Sequence, residues 1–443
     1  IYSMFLLSTL FSSAMFTPST IMNEVIPMAQ PMPADNPFLD FPFGPIQMEC
    51  DARDLVIEGE IPADLNGSFY RNGPNQRFRP RGDYHLFAGD GMVHAFHIKN
   101  GKVDYTNRWV RTAKWNIEDK EGRAVINAMN PFDCDPDFSD FVMVDKEGLA
   151  NTAVVWHAGR LLALEEGHQP YEIDPDTLES VGTWTYRGKL HTAMTAHPKV
   201  DPKTGELLFF AYMATGPFSS DIVVHKVSPT GVLQESILIP TPFSSMVHDF
   251  VFTENYIILP VFPVTGSLER AMEGGPPFAW EPEKGVHVAI LPRNGGTAED
   301  VRWLEMDLCF TFHYMNAFEK DGKIFVDGSQ FEKVPLFPTP DGKATGTVAP
   351  YLHRWTIDLN DPDARVQFKK IDEYYGSDEY KNKLRYSCCQ RRRESLRKRC
   401  NKIILREKQK NQIIDEETKL SSYNCKSVNY NEFKEYIKEK TKL

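Results

Sequence analysis

A chain of 443 residues has room for a large core, and contents of 41% hydrophobic and 12% aromatic residues exclude a disordered polymer. The formal net charge of −11 excludes nucleic acid as a general partner. That charge is uneven: residues 381–443 carry nineteen Lys or Arg against eight Asp or Glu, a local +11, which leaves −22 for the first 380.

In chain order, Phe5 to Phe16 (FLLSTLFSSAMF) has the length of a signal-peptide core but no positive charge ahead of it. Residues 1–35 are therefore expected to be a leader, disordered or signal-like, and secretion is not expected. No apolar run reaches the length of a transmembrane helix. Cys50, Cys134 and Cys309 are scattered, and Cys388, Cys389, Cys400 and Cys425 lie near the C-terminus. Without a CxxC pair, neither a zinc ribbon nor a disulfide framework is expected, and the setting is expected to be reducing and cytoplasmic.

From Asn66 onward the pattern is that of β meanders. Asn66–Pro74 reads as turn, strand, turn, and MVHAFHI and VDYTNRWV form two strands joined at Asn100-Gly101. Four short strands follow at Thr152–Trp156, Leu161–Glu165, Tyr171–Ile173 and Val181–Tyr186. A further set runs through His197, ELLFFAY, DIVVHKV and VLQESIL, and another through HDFVFTE, YIILPVF, VHVAILP and VRWLEM. The last comprises FHYMNAFE, KIFVDGS, YLHRWTID and ARVQFKKID. Repeated four-strand units predict an all-β chain of the β-propeller type. A β-sandwich explains the strands equally well, but not the histidines that recur at the head of successive units.

Those histidines are His197, His248 and His313, spaced 51 and 65 residues apart. In a propeller, one position taken from several blades converges near the axis, which suits a metal held by ligands far apart in sequence. Neutral imidazoles suit iron, copper, nickel or zinc, and three histidines with an open position also fit a zinc hydrolase. Neutral ligands leave the charge of the ion uncompensated, so a carboxylate behind them is expected. Glu166 is the candidate, since strict alternation places it on the face of Leu162 and Leu164; a surface glutamate at a turn is the plain alternative. His94, His97, His157, His168, His191, His225 and His287 have ordinary explanations on strands or beside turns.

Seven stretches stand out in order: NGSFYRNGPN (Asn66–Asn75), FAGDGMVHAFHIKNGKVDY (Phe87–Tyr105), VVWHAGRLLALEEG (Val154–Gly167) and TAHPKVDPKTGE (Thr195–Glu206), then MVHDFVFTENYIILP (Met246–Pro260), GSLERAMEGGPPFAWEP (Gly266–Pro282) and FHYMNAFE (Phe312–Glu319). In these the chain resembles the carotenoid cleavage oxygenase family, including its lignostilbene dioxygenase-like branch. The resemblance implies a seven-bladed β-propeller over residues 36–375, with Fe(II) held by four histidines. It also implies scission of a conjugated C=C bond by O₂ into two carbonyl products. Matched by motif, His197, His248 and His313 are three of the iron ligands, and Glu166 is a glutamate that orients a ligand imidazole. The implied substrate is a lipophilic carotenoid, apocarotenoid or stilbene, and its uptake implies peripheral membrane contact. Glu165 stands where the resemblance implies a lysine in stilbene-cleaving members, an expectation against a phenolic stilbene.

Two features depart from the family. Its fourth histidine lies near the C-terminus, whereas no histidine follows His353 here. Residues 377–443 also lack any Gly, Pro, His or Trp, and strands joined by tight turns need the first two. Residues 376–443 are therefore expected to be an unrelated basic tail, helical or disordered, and the propeller to be incomplete at its C-terminal end. On that reading the chain is an oxygenase with impaired activity, or a degenerate relative that binds a polyene without cleaving it.

Overall fold

The computed structural model describes residues 21–25, 31–33, 35–40, 43–128, 133–142, 145, 147–346 and 348–371. Most of the expected leader and the whole of the expected basic tail lie outside these residues. Among them no helix is long and apolar enough to cross a membrane.

The chain folds as consecutive antiparallel sheets, most of them meanders in which each strand pairs with the next; in the first, Met48–Ala52 pairs instead with Lys102–Trp109. The first is five-stranded, with spatial order Ile21–Val25, Met48–Ala52, Lys102–Trp109, Gly91–Lys99, Gly67–Pro74. The second runs Ala153–His157, Arg160–Leu164, Tyr171–Ile173, Ser180–Thr183, and the third Lys199–Val200, Leu207–Tyr212, Asp221–Val227, Leu233–Pro240. The fourth contains Val251–Phe252, Tyr256–Val261, Val286–Pro292 and Arg302–Met306. A two-stranded hairpin, Val264–Gly266 with Phe278–Trp280, is inserted between its second and third strands. The fifth contains Phe310–Lys320, Lys323–Phe331, Tyr351–Asp358 and Gln367–Lys370. These match the meanders expected from the sequence, including the turn at Asn100-Gly101, where both residues have positive φ (52° and 72°), as a two-residue hairpin of this twist requires.

Packing explains why the strands read as nearly continuous apolar runs. Along Leu207–Tyr212, Leu207 and Phe209 pack with Leu162 and Leu164 of the second sheet, whereas Leu208 and Phe210 pack with Ile257 and Leu259 of the fourth. In the second sheet, Leu161 and Ala163 turn to Val93 and Ala95 of the first. In the fourth, Ile258, Val288 and Ile290 turn to Ile324 and Val326 of the fifth. Each middle sheet thus buries both faces against different neighbours, which a two-layer sandwich does not do. Close approach between the first two sheets needs Gly91, where an added Cβ would lie 2.3 Å from the Ala150 carbonyl oxygen.

Among the elements that were not expected are the strands Ile21–Val25 and Met48–Ala52, the hairpin Val264–Gly266 with Phe278–Trp280, and a helix at Ala113–Glu121, between the first and second sheets. Its face is buried through charge, with the Lys114 ammonium 2.9 Å from Asp90 and 2.8 Å from Glu118. Thr112 caps its start, accepting the Trp115 N–H at 3.4 Å, and Gly122 ends it at a φ of 68°. Thr112→Ala is expected to cost about 1 kcal/mol, read as a lower urea midpoint with an unchanged slope.

Candidate metal centre

Each of the three histidines sits where a sheet begins. His197 lies two residues before Lys199–Val200 and His248 three before Val251–Phe252. His313 lies inside Phe310–Lys320, where the register with Lys323–Phe331 slips between Thr311 and Tyr314. That bulge re-aims the His313 side chain out of the regular pleat.

The structure brings the three together. Their donor atoms lie within 4.8 Å of one another; His248 Nε2 is 2.9 Å from His197 Nε2 and 3.1 Å from His313 Nε2. The rings meet edge to face, with centroids 4.5 to 4.9 Å apart. Phe312 covers one side, its ring 5.3 Å from that of His248.

Glu166 stands behind His248, one carboxylate oxygen against His248 Nδ1 and the other accepting the Tyr212 hydroxyl at 2.6 Å. It lies in the turn after Arg160–Leu164, a strand whose Leu161 to Leu164 are all buried. The Glu166 carboxylate accepts the Nδ1–H of His248 and so turns Nε2 of that ring towards the other two ring nitrogens, an arrangement that a central cation would satisfy.

The electrostatics keep the outer two imidazoles neutral, the form that binds metal. Burial, followed by the neighbouring His248, pushes His197 down to about 2 and His313 to about 4. Burial also opposes the charged form of His248, but the Glu166 carboxylate outweighs it and the net displacement is upward.

Further ties hold the cluster. Thr195 Oγ1 accepts the His197 N–H at 3.2 Å and donates to the His248 carbonyl at 3.4 Å. Asp249 pairs with Lys199 at 2.7 Å. Tyr212, Thr195, Lys199 and Asp249 were given no role from sequence, although Lys199 and Asp249 lie in the same short runs as His197 and His248.

Most of the other histidines have partners elsewhere. His225 lies on the third strand of its sheet between Thr192 and Ser236, and His287 on the third strand of the next, against the Lys284 carbonyl. His94 meets Tyr105, His97 meets Ser68, and His157 meets the Gly205 carbonyl. His353, the last histidine in the sequence, bonds the Tyr351 carbonyl.

Glu165 accepts the Leu149 N–H at 2.9 Å and lies 2.7 Å from His168 Nδ1. Its carboxylate is committed to these two contacts. Burial lowers His168, but Glu165 overrides it and raises it to about 9; burial raises Glu165, and His168 draws it below the usual carboxylate range. For a raised histidine, the stabilisation is complete below its unfolded value of about 6.5 and is lost as pH climbs through about 9. For the lowered Glu165, it is present above the ordinary carboxylate value and lost in acid. The melting temperature is therefore expected to fall between pH 6.5 and 9, and His168→Gln to flatten that slope.

The sequence matches the retinal pigment epithelial membrane protein family model over residues 43–399. Among curated relatives, isoeugenol monooxygenase of Pseudomonas putida is 37% identical over 338 residues, covering 75% of this chain and 69% of that protein. Lignostilbene-alpha,beta-dioxygenase isozyme III of Sphingomonas paucimobilis is 37% identical over 358 residues, covering 76% and 72%. Among solved structures, Pseudomonas brassicacearum lignostilbene dioxygenase superposes with a TM-score of 0.73 at 38% identity, covering 78% of this chain and 72% of that one. Synechocystis apocarotenoid oxygenase superposes with a TM-score of 0.63 at 28% identity, covering 74% and 71%. With a match spanning most of the chain and relatives well above 30% identity, the chain belongs to the retinal pigment epithelial membrane protein, or carotenoid oxygenase, family.

Proposed function

We propose that the chain is an iron-dependent oxygenase that cleaves a conjugated C=C bond with O₂, giving two carbonyl products. The observation that carries this reading is the meeting of His197, His248 and His313, with Glu166 bonded behind His248. The successive sheets are read as blades of a propeller of the seven-bladed type, whose inner strands bring the three residues to one point.

His197, His248 and His313 would hold the metal. Three neutral imidazoles backed by a carboxylate would suit iron, and the likeness to carotenoid oxygenases favours iron over a zinc hydrolase. Three nitrogens leave open positions, as catalytic metal sites require. When bound, Fe(II) supplies the means of activating O₂ beside the substrate double bond. The residues of the chain fix the rest: Glu166 holds the His248 ring and offsets part of the charge of the ion, and Phe312 excludes water from one side of the cluster. The overall change balances as R–CH=CH–R′ plus O₂ giving R–CHO and R′–CHO.

Among substrates, an alkene conjugated with an aromatic ring fits best. Relatives named for isoeugenol or lignostilbene are 36 to 37% identical and those named for resveratrol 32 to 35%, beside 33 and 34% for two named for carotenoid cleavage. The test is to load the full chain with Fe(II) without oxygen, add ¹⁸O₂ with isoeugenol, a hydroxystilbene or an apocarotenal, and identify the aldehydes by mass. Labelled aromatic aldehyde is expected from the first two. Cleavage of the apocarotenal alone would overturn the substrate class. Loss of all cleavage with iron bound would overturn the activity.

A further inference from the structure

The three histidine-bearing segments share a second meeting point. Asp249 directly follows His248, and its side chain is 2% exposed. One oxygen accepts the Phe250 N–H at 2.8 Å and pairs with Lys199 Nζ at 2.7 Å, Lys199 being two residues past His197. The other accepts the backbone N–H of Tyr314 at 3.1 Å, the residue after His313. A single buried carboxylate thus ties together the starts of three different sheets, beside each of the three imidazoles.

We propose that Asp249 and Lys199 form a positioning clamp that sets the spacing of His197, His248 and His313, and with it the affinity and geometry of the bound metal. This rests on reading the cluster as a metal site. The sheets are joined mainly by apolar packing, which has no preferred direction and permits small relative shifts. A carboxylate that accepts from one backbone and pairs with a side chain from another is directional, and site geometry has to be held within about 0.5 Å. A buried ion pair returns little net stability for its desolvation cost. Positioning accounts better for a pair placed between all three ligand segments.

Charge and geometry predict opposite signs for one substitution. Lys199→Met removes a positive charge near a dication and leaves the Asp249 carboxylate in place. Acting through charge alone, it would tighten metal binding; as the loss of a clamp, it weakens it. Asp249→Asn weakens binding on either view, and Lys199→Arg keeps the pair.

The experiment titrates the metal-free full chain and these variants with Co(II) under anaerobic conditions. Affinity and the visible d–d bands are read, with the melting temperature of each metal-free protein as a control. Lys199→Met and Asp249→Asn are expected to bind about 10–100-fold more weakly with shifted bands, and Lys199→Arg to stay close to the parent protein. Lys199 is partly exposed, so its variants remain readable even where Asp249→Asn does not fold. Tighter binding by Lys199→Met, or unchanged affinity and bands at a lowered melting temperature, would overturn the clamp and leave the metal site standing. A parent chain that takes up no Co(II) would sink the metal reading itself, and the clamp with it.

Discussion

His248→Ala is expected to abolish tight iron binding and, with it, cleavage of the double bond. His248 is the central member of the cluster, since its Nε2 lies within 3.1 Å of both other ring nitrogens. It is also the one backed by a carboxylate. Metal binding at a closed four-ligand site is worth about 10–16 kcal/mol, so one donor accounts for roughly 3–4 kcal/mol, or about 10²–10³-fold in affinity. Removing the ring further leaves Glu166 as a carboxylate without its imidazole partner beside the cavity, which raises the cost. Iron content after gel filtration and aldehyde formation should fall together, while the far-ultraviolet circular dichroism stays that of a β protein. Stoichiometric iron retained by His248→Ala would sink the assignment of the centre. His197→Ala and His313→Ala should follow the same pattern, because no other histidine among the described residues joins the cluster.

The strands were legible because tight turns punctuate them, and the three histidines because each stands at the head of such a unit. Other features were not, for identifiable reasons. The helix at Ala113–Glu121 buries Lys114, Trp115 and Glu118, so its inward face is largely charged and no apolar period marks it. Glu166 is only half legible from alternation, because Leu161 to Leu164 are buried on both sides and leave either face acceptable; the motif match adds the rest. Asp249 was passed over because its partners, Lys199 and Tyr314, lie far from it along the chain, and no local pattern records bonds of that kind.

Glu166→Gln separates the charge of that residue from its hydrogen bonds. The glutamine carbonyl can still accept from His248 Nδ1–H, and the Tyr212 hydroxyl can turn to accept from the new amide, so the two contacts persist in form. What is lost is the negative charge facing an ion held by three neutral ligands. Substitutions of partners behind a ligand typically cost 10–100-fold in metal affinity or activity, and the same range is expected here. Glu166→Asp keeps the charge and shortens the reach by one methylene, which breaks either the His248 or the Tyr212 contact. If charge dominates, Glu166→Asp should bind iron more tightly than Glu166→Gln; if orientation dominates, the order reverses. Tyr212→Phe resolves the remaining ambiguity, because it leaves the charge and the His248 contact intact and frees only the second oxygen. The expected order of iron affinity is parent, Tyr212→Phe, Glu166→Asp, Glu166→Gln. A Glu166→Gln protein that binds iron like the parent would show that the negative charge behind His248 adds nothing to the affinity and that the residue acts through its hydrogen bonds alone.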